Sequence, residues 1–111
     1  MSDDDFLAEL DRVLENMVLK NEFTITDLCR AIATSRTSLH RKITRFTNKS
    51  ISIYIREFRL QKAYEKLQNK SSTVSEVAYD VGFSDLSYFS KCFKDFYGIT
   101  PSQLLGNVDK Q

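Results

Sequence analysis

The sequence predicts an all-α fold of about seven helices, arranged as two helix-turn-helix units joined by a long linker helix. Three observations carry this. Three glycines and one proline in 111 residues supply too few turns for an all-β chain. Apolar residues recur every three or four positions along most of the chain, the period of a helix buried on one face. Thr24-x-x-Asp27 and Thr73-x-x-Glu76 each match the pattern of a side chain capping a helix start.

Taken in order, Met1–Asp5 reads as a frayed start. Phe6, Leu7, Leu10, Val13, Leu14, Met17 and Val18 then predict a helix from about Asp5 to Leu19. The acidic run Asp3–Asp5 suits the positive end of that helix. Asn21–Phe23 is a connector. Thr24 caps a short helix over about Ile25–Ala33, with Leu28, Cys29 and Ile32 inward. Ser35 caps the next, Arg36–Thr47, with Leu39, Ile43 and Phe46 inside. Its outer stripe is Arg36, Thr37, His40, Arg41, Thr44 and Arg45. Asn48 suits the left-handed end of a helix.

Ser50 caps a long helix, about Ile51–Asn69. At ~100° per residue, Ile51, Tyr54, Ile55 and Phe58 cluster on one face, and Leu60, Ala63, Tyr64 and Leu67 on the opposite face, with Ile53 among the second group. A helix of that kind serves two small cores. Its ~18 residues would span ~27 Å.

Ser71-Ser72 marks a boundary. Thr73 caps a short helix, Val74–Val81, with Val77, Ala78 and Val81 inward. Gly82 ends it and Phe83 plugs the turn. Ser84 is placed as the cap of a helix over Asp85–Tyr97, with Phe89, Phe93 and Phe96 inside and Leu86, Ser87, Ser90, Lys91 and Lys94 outside. Gly98 closes it. Thr100-Pro101 starts a last short helix through Leu105, because proline fits a first helical turn. Gly106–Gln111 reads as a loose tail.

The two halves repeat. Leu28, Cys29, Ile32, Ala33 and Ser35 match Val77, Ala78, Val81, Gly82 and Ser84 at an offset of 49, and Leu39, Arg41, Ile43 and Phe46 match Phe89, Lys91, Phe93 and Phe96 at 50. The second turn is thus one residue longer. Short helix, turn and longer helix is the grammar of a DNA-reading helix-turn-helix. Two such units on one linker would hold two reader helices roughly one DNA turn apart, ~34 Å. They would meet successive major-groove faces without a dimer.

Charge points the same way. The net charge is +1, but residues 36–70 carry ten basic residues against two acidic ones. Residues 1–35 carry three against eight, and residues 71–111 three against five. A basic middle between acidic ends is an electrostatic footprint for a polyanion. Other chemistry finds little support. One histidine, no metal-ligand cluster, no glycine-rich phosphate loop and no nucleophile–base pair argue against an enzyme, and the residues call for no cofactor. Cys29 and Cys92 read as small buried thiols. No apolar run approaches the roughly 20 residues that span a membrane, and the acidic N-terminus is unlike a secretory leader.

The stretch EVAYDVGFSDLSYFSKCFKDFYGITP, within Val74–Leu105, resembles the C-terminal signature of the AraC/XylS family of bacterial transcription regulators. DLCRAIATSRTSLHRKI and YIREFRLQKAYEKL resemble that family's first helix-turn-helix and connecting helix. Together they cover about Phe6 to Leu105. Ala33 and Asn48 stand where the family often has glycine. The resemblance implies base contacts from Thr37, His40 and Arg41 in the first unit, with Arg36 at the groove. In the second it implies Leu86, Ser87, Ser90 and Lys91, with Tyr88 at the margin. Phosphate contacts fall to Arg36, Thr44, Arg45 and Lys49, and to the helix starts at Thr24 and Thr73. Asp85 either accepts from a cytosine amino group or caps its helix. Leu86 offers only apolar contact, for example to a thymine methyl. More of the sequence reading is therefore expected from Arg36–Arg45 than from the second helix.

The partners implied are double-stranded DNA and, through the family, RNA polymerase in the cytoplasm. FLAELDRVLENMV resembles the start of the output domain of hybrid two-component sensors. A C-terminal domain with upstream receiver and sensor domains and a stand-alone regulator both fit. The rival reading is a small helical protein-interaction module.

Overall fold

A computed structural model of the chain describes residues 3–17, 24–69 and 72–109. Seven helices run through these residues: α1 (Asp3–Met17), α2 (Ile25–Ala31), α3 (Arg36–Thr47), α4 (Ile51–Gln68), α5 (Val74–Asp80), α6 (Leu86–Tyr97) and α7 (Pro101–Asp109). The all-α expectation holds. Val18, the helix end expected at Leu19, the Asn21–Phe23 connector, Ser71 and the last two residues of the expected tail lie outside the described residues.

Most helix starts are written locally. Thr24 Oγ1 accepts the Asp27 N–H at 3.2 Å, and Asp27 Oδ2 accepts the Thr24 N–H at 2.8 Å. Thr73 and Glu76 repeat the exchange. Ser35 Oγ accepts from Ser38, and Ser50 Oγ from Ile53. Thr100 and Gln103 form the same reciprocal pair just ahead of Pro101. Asn48 ends α3 with φ 60, the left-handed cap expected of it.

The chain divides into two compact units, Met1–Arg56 and Glu57–Gln111. In the first, Phe6, Leu10, Val13, Leu14, Leu28, Cys29, Leu39, Ile43 and Ile51 are buried. Phe6 meets Phe46 edge-on at 5.6 Å. The half-buried Tyr54 hydroxyl donates to Asp11 Oδ1 at 2.6 Å, tying the start of α4 to α1. Burial and the neighbouring carboxylate hold that hydroxyl protonated well above its usual range. In the second unit, Leu60, Ala63 and Leu67 of α4 share a core with Val77, Ala78, Val81, Phe83, Phe89, Cys92, Phe93 and Leu104. Both cysteines are buried free thiols.

The two turns are built alike. The Thr34 N–H reaches the Cys29 carbonyl at 3.0 Å and the Ala33 N–H reaches Arg30 at 3.2 Å. Phe83 to Ala78 and Gly82 to Tyr79 reproduce this at 2.9 and 3.0 Å. This is the paired-bond helix ending that requires one left-handed residue. Gly82 fills it at φ 101, and Ala33 at φ 54. A side-chain-bearing residue there is strained by roughly 1–2 kcal/mol. Ala33→Gly is therefore expected to raise stability by roughly 0.5–1 kcal/mol, after the flexibility glycine gains in the unfolded chain. A urea midpoint that does not rise would show that the first turn carries no such strain.

Several expectations are corrected. α1 begins at Asp3, so the acidic run lies inside the helix rather than in a frayed start. α2 ends at Ala31, not Ala33, because the left-handed turn begins there, and Ile32 is half-buried. Asp85, not Ser84, caps α6: its carboxylate accepts the Tyr88 N–H at 2.8 Å. Phe96 is not on the inner stripe. It is 38% exposed, while the Tyr97 ring packs at a tilt against Phe93, 4.8 Å between centres, and takes the inner place. Ile53, grouped with the second face of the long helix, is 36% exposed. The expected tail is helical as far as Asp109, α7 running through Gly106.

Candidate nucleic-acid interface

The most basic exposed surface among the helices belongs to α3, where Arg36, Arg41, Lys42 and Arg45 are exposed. Leu39 and Ile43 are fully buried, which fixes the helix's rotation. That rotation leaves Arg36, Thr37, His40, Arg41, Thr44 and Arg45 exposed. Thr37, His40, Arg41 and Thr44 fall within about a third of the helix circumference at ~100° per residue. The helix carries no acidic residue. Among the described residues, none forms an ion pair with Arg36, His40 or Arg41. The charges of Arg36 and Arg41 are therefore available to an outside anion. Two other cations lie back on the protein: Arg45 is 5.6 Å from the Phe46 ring centre, and Lys42 5.4 Å from that of Phe6. Thr44 Oγ1 donates to the Lys49 carbonyl at 3.4 Å, bringing the half-buried Lys49 to the end of the same helix.

α6 presents a thinner version. Phe89 and Phe93 are fully buried and Cys92 nearly so. Ser87, Lys91 and Lys94 are exposed, and Ser90 is half-buried. Leu86 is half-buried because it packs against the second core, so it serves that core as well as the surface. Tyr88 is exposed, its ring 6.1 Å from Phe83. Asp85 is engaged as the cap, which resolves the choice left open by its sequence position. In the offset-50 register Lys94 lies where α3 has Thr44, and Asp95 where α3 has Arg45. The repeat thus contained a signal for Lys94 as a further surface cation, and for a charge reversal beside it.

Thr24 and Thr73 sit at helix starts as expected, but their groups are engaged locally. The Thr24 N–H is bonded to Asp27. The Thr73 N–H and hydroxyl both donate to Glu76, at 3.3 and 3.0 Å. A phosphate at Thr73 would have to displace a carboxylate. One residue that the sequence did not single out is Arg59 of α4. Its Nη1 donates to the Val81 carbonyl, at the end of α5, at 2.7 Å. The partners are 22 residues apart, too far for a local pattern to reveal.

Among the described residues, no group of His, Cys, Asp and Glu is placed to hold a metal ion. No helix among them is long and apolar enough to cross a membrane.

Comparison with known proteins agrees with this architecture. A helix-turn-helix domain family model matches residues 28–107. The chain is 31% identical to histidine kinase P4 of Formosa agariphila over 98% of its own length, but spans 8% of that protein. It is 39% identical to the HTH-type transcriptional activator RhaS of Mannheimia succiniciproducens over 84% of its length, and spans 34% of that protein. The chain thus corresponds to about a third of one relative and less than a tenth of the other. Among solved structures, the C-terminal domain of the two-component response regulator yesN from Fusobacterium nucleatum superposes with a TM-score of 0.77 at 27% identity. That match covers 94% of this chain and 99% of the other. Two successive helix-turn-helix units, the matched residues and these relatives together place the chain in the AraC-type family of DNA-binding transcription regulators, a family of DNA readers rather than enzymes.

Proposed function

We propose that the chain reads a specific duplex sequence through α3 and α6, lying in successive major grooves on one side of the DNA. The observation that carries this is α3: an acid-free helix in a helix-turn-helix unit, with Arg36, Thr37, His40 and Arg41 exposed beside one another. Arg41 and His40 read base edges, with Thr37 beside them. Ser87, Ser90, Lys91 and, through its exposed part, Leu86 form the lighter second reader. Arg36, Thr44, Arg45 and Lys49 bear on phosphates, while the helix starts at Thr24 and Thr73, engaged by Asp27 and Glu76, are left out of that set. In domain terms, residues 6–50 and 70–106 are the two readers and residues 51–69 their linker.

The activity sits in a larger cytoplasmic setting. Histidine kinase P4 and RhaS are much longer than this chain, so upstream receiver and sensor domains and RNA polymerase are its expected partners. A signal received upstream would then be converted into activation of transcription.

Selection of bound duplex from a random pool tests the reading. The expected outcome is an enriched site with two conserved stretches centred about 10–11 base pairs apart. Recovery of no preferred sequence would remove the reading and favour a protein-docking module. On the selected site, affinity should fall steeply with salt. If roughly four phosphates are neutralised, the log–log slope should be about −3 to −4. A flat response would exclude the phosphate contacts assigned here.

A further inference from the structure

We infer that Arg59 is a positioning residue that sets the aim of reader helix α6 by clamping the corner between α5 and α6. The inference rests on the DNA-reading function proposed above.

The corner consists of Val81, Gly82 and Phe83. Val81 is fully buried and caps α5, its N–H bonded to the Val77 carbonyl at 3.0 Å. Gly82 follows at φ 101, and Phe83 drops into the core, 5.1 Å from Phe89 of α6. The carbonyls at a helix end lack partners within the helix and carry its partial negative charge. Arg59, half-buried on α4, donates Nη1 to the Val81 carbonyl at 2.7 Å. A bond from a charged group at that distance is short and strong, and the planar guanidinium fixes direction as well as distance.

Direction matters because Gly82 is the joint from which α6 departs. Glycine tolerates many backbone angles, so a glycine corner does not set its own geometry. A swing of ~10° at the corner would move a group ~12 Å along α6 by ~2 Å, enough to break a hydrogen bond to a base edge. The first unit shows the converse arrangement. Its corner holds Ala33 at φ 54, where the side chain leaves only a narrow left-handed region. At an offset of 50, buried Leu10 and Val13 of α1 match buried Leu60 and Ala63 of α4. Glu9 then stands where α4 has Arg59, and it is engaged by Arg12 at 2.7 Å. The stiff alanine corner has an acid at the clamp position. The pliant glycine corner has an arginine bonded to its carbonyl.

The test uses the full chain and the site recovered by selection, with every single base-pair variant titrated against wild type, Arg59→Met and Arg59→Lys. Methionine keeps the apolar stem and removes the donor. Arg59→Met should melt cooperatively and keep wild-type discrimination, within about two-fold, in the half-site read by α3. Discrimination in the half-site read by α6 should fall about ten-fold, with random-duplex affinity changed less than two-fold. Arg59→Lys, a single-point donor, should recover part of the loss. A uniform fall across both half-sites and random duplex would make Arg59 a phosphate clamp and overturn the inference. An unchanged profile would overturn it as well. If Arg59→Met does not fold, Arg59→Lys decides: a smaller loss confined to the α6 half-site supports the inference, and a uniform loss or none overturns it. If wild type selects no site, the DNA-reading proposal itself fails. Amide exchange at Gly82 and Phe83 then carries the test: faster exchange in Arg59→Lys keeps the clamp, and unchanged rates remove it.

Discussion

Replacing Arg41 by alanine is expected to lower affinity for the selected site about 10- to 100-fold while leaving random-duplex affinity within a few-fold of wild type. The asymmetry follows from where the side chain sits. Arg41 is exposed on α3, between Thr37 and Arg45 around the helix, with no ion-pair partner among the described residues. An arginine paired with a guanine edge contributes roughly 1–3 kcal/mol of discrimination, lost only where that base is present. A phosphate contact is lost on any sequence. Arg45→Ala serves as the contrast, since Arg45 leans on the Phe46 ring and is assigned to the backbone. It should weaken specific and random binding in equal proportion. Competition binding on both duplexes measures the ratio, and equal losses for Arg41→Ala would reassign it to a phosphate.

Phe89→Ala should be the most damaging change to the fold, costing about 3–5 kcal/mol. Phe89 is fully buried, 5.1 Å from Phe83 and 5.7 Å from Phe93, at the centre of the second core. Small domains hold only about 5–15 kcal/mol in total, so α5 to α7 should lose most of their protection against amide exchange. Phe96→Ala on the same helix should cost less than about 1 kcal/mol, because 38% of Phe96 is already in solvent. Urea unfolding of the two variants compares them directly. Equal losses would restore Phe96 to the inner stripe and contradict the packing seen here.

The contrast between Phe89 and Phe96 shows where legibility ended. Both fall on the apolar stripe of a helix counted at 3.6 residues per turn. Periodicity names a face but not how far along the helix the neighbouring elements extend. At the end of α6, Tyr97 fills the place beside Phe93 and Tyr64, at 4.8 and 4.7 Å. Phe96 is left at the rim, edge-on to Tyr97. The cap of α6 lies one residue beyond the position the repeat indicates, for a related reason. Ser84 and Asp85 both have capping side chains, and the repeat placed the added residue of the second turn after the cap rather than before it. With the turn bonds in view, Asp85 corresponds to Ser35 at the same offset of 50 as the helices that follow.

What the sequence determined by itself was everything carried by residues within a turn or two of one another. The capping pairs Thr24–Asp27 and Thr73–Glu76, the limits of α3, the left-handed Asn48 and the exposed row from Arg36 to Arg45 all depend on short-range geometry that residue type and spacing encode. The repeat and the family signature belong here too, since both are patterns in the chain. Tertiary structure alone decided which aromatic ring seals the second core, and that an alanine keeps the same turn as a glycine. It also decided that Arg59 and Tyr54 reach partners 22 and 43 residues away. Such bonds exist only once helices are packed. Packing sums many weak contacts, so no single residue type or spacing announces its result.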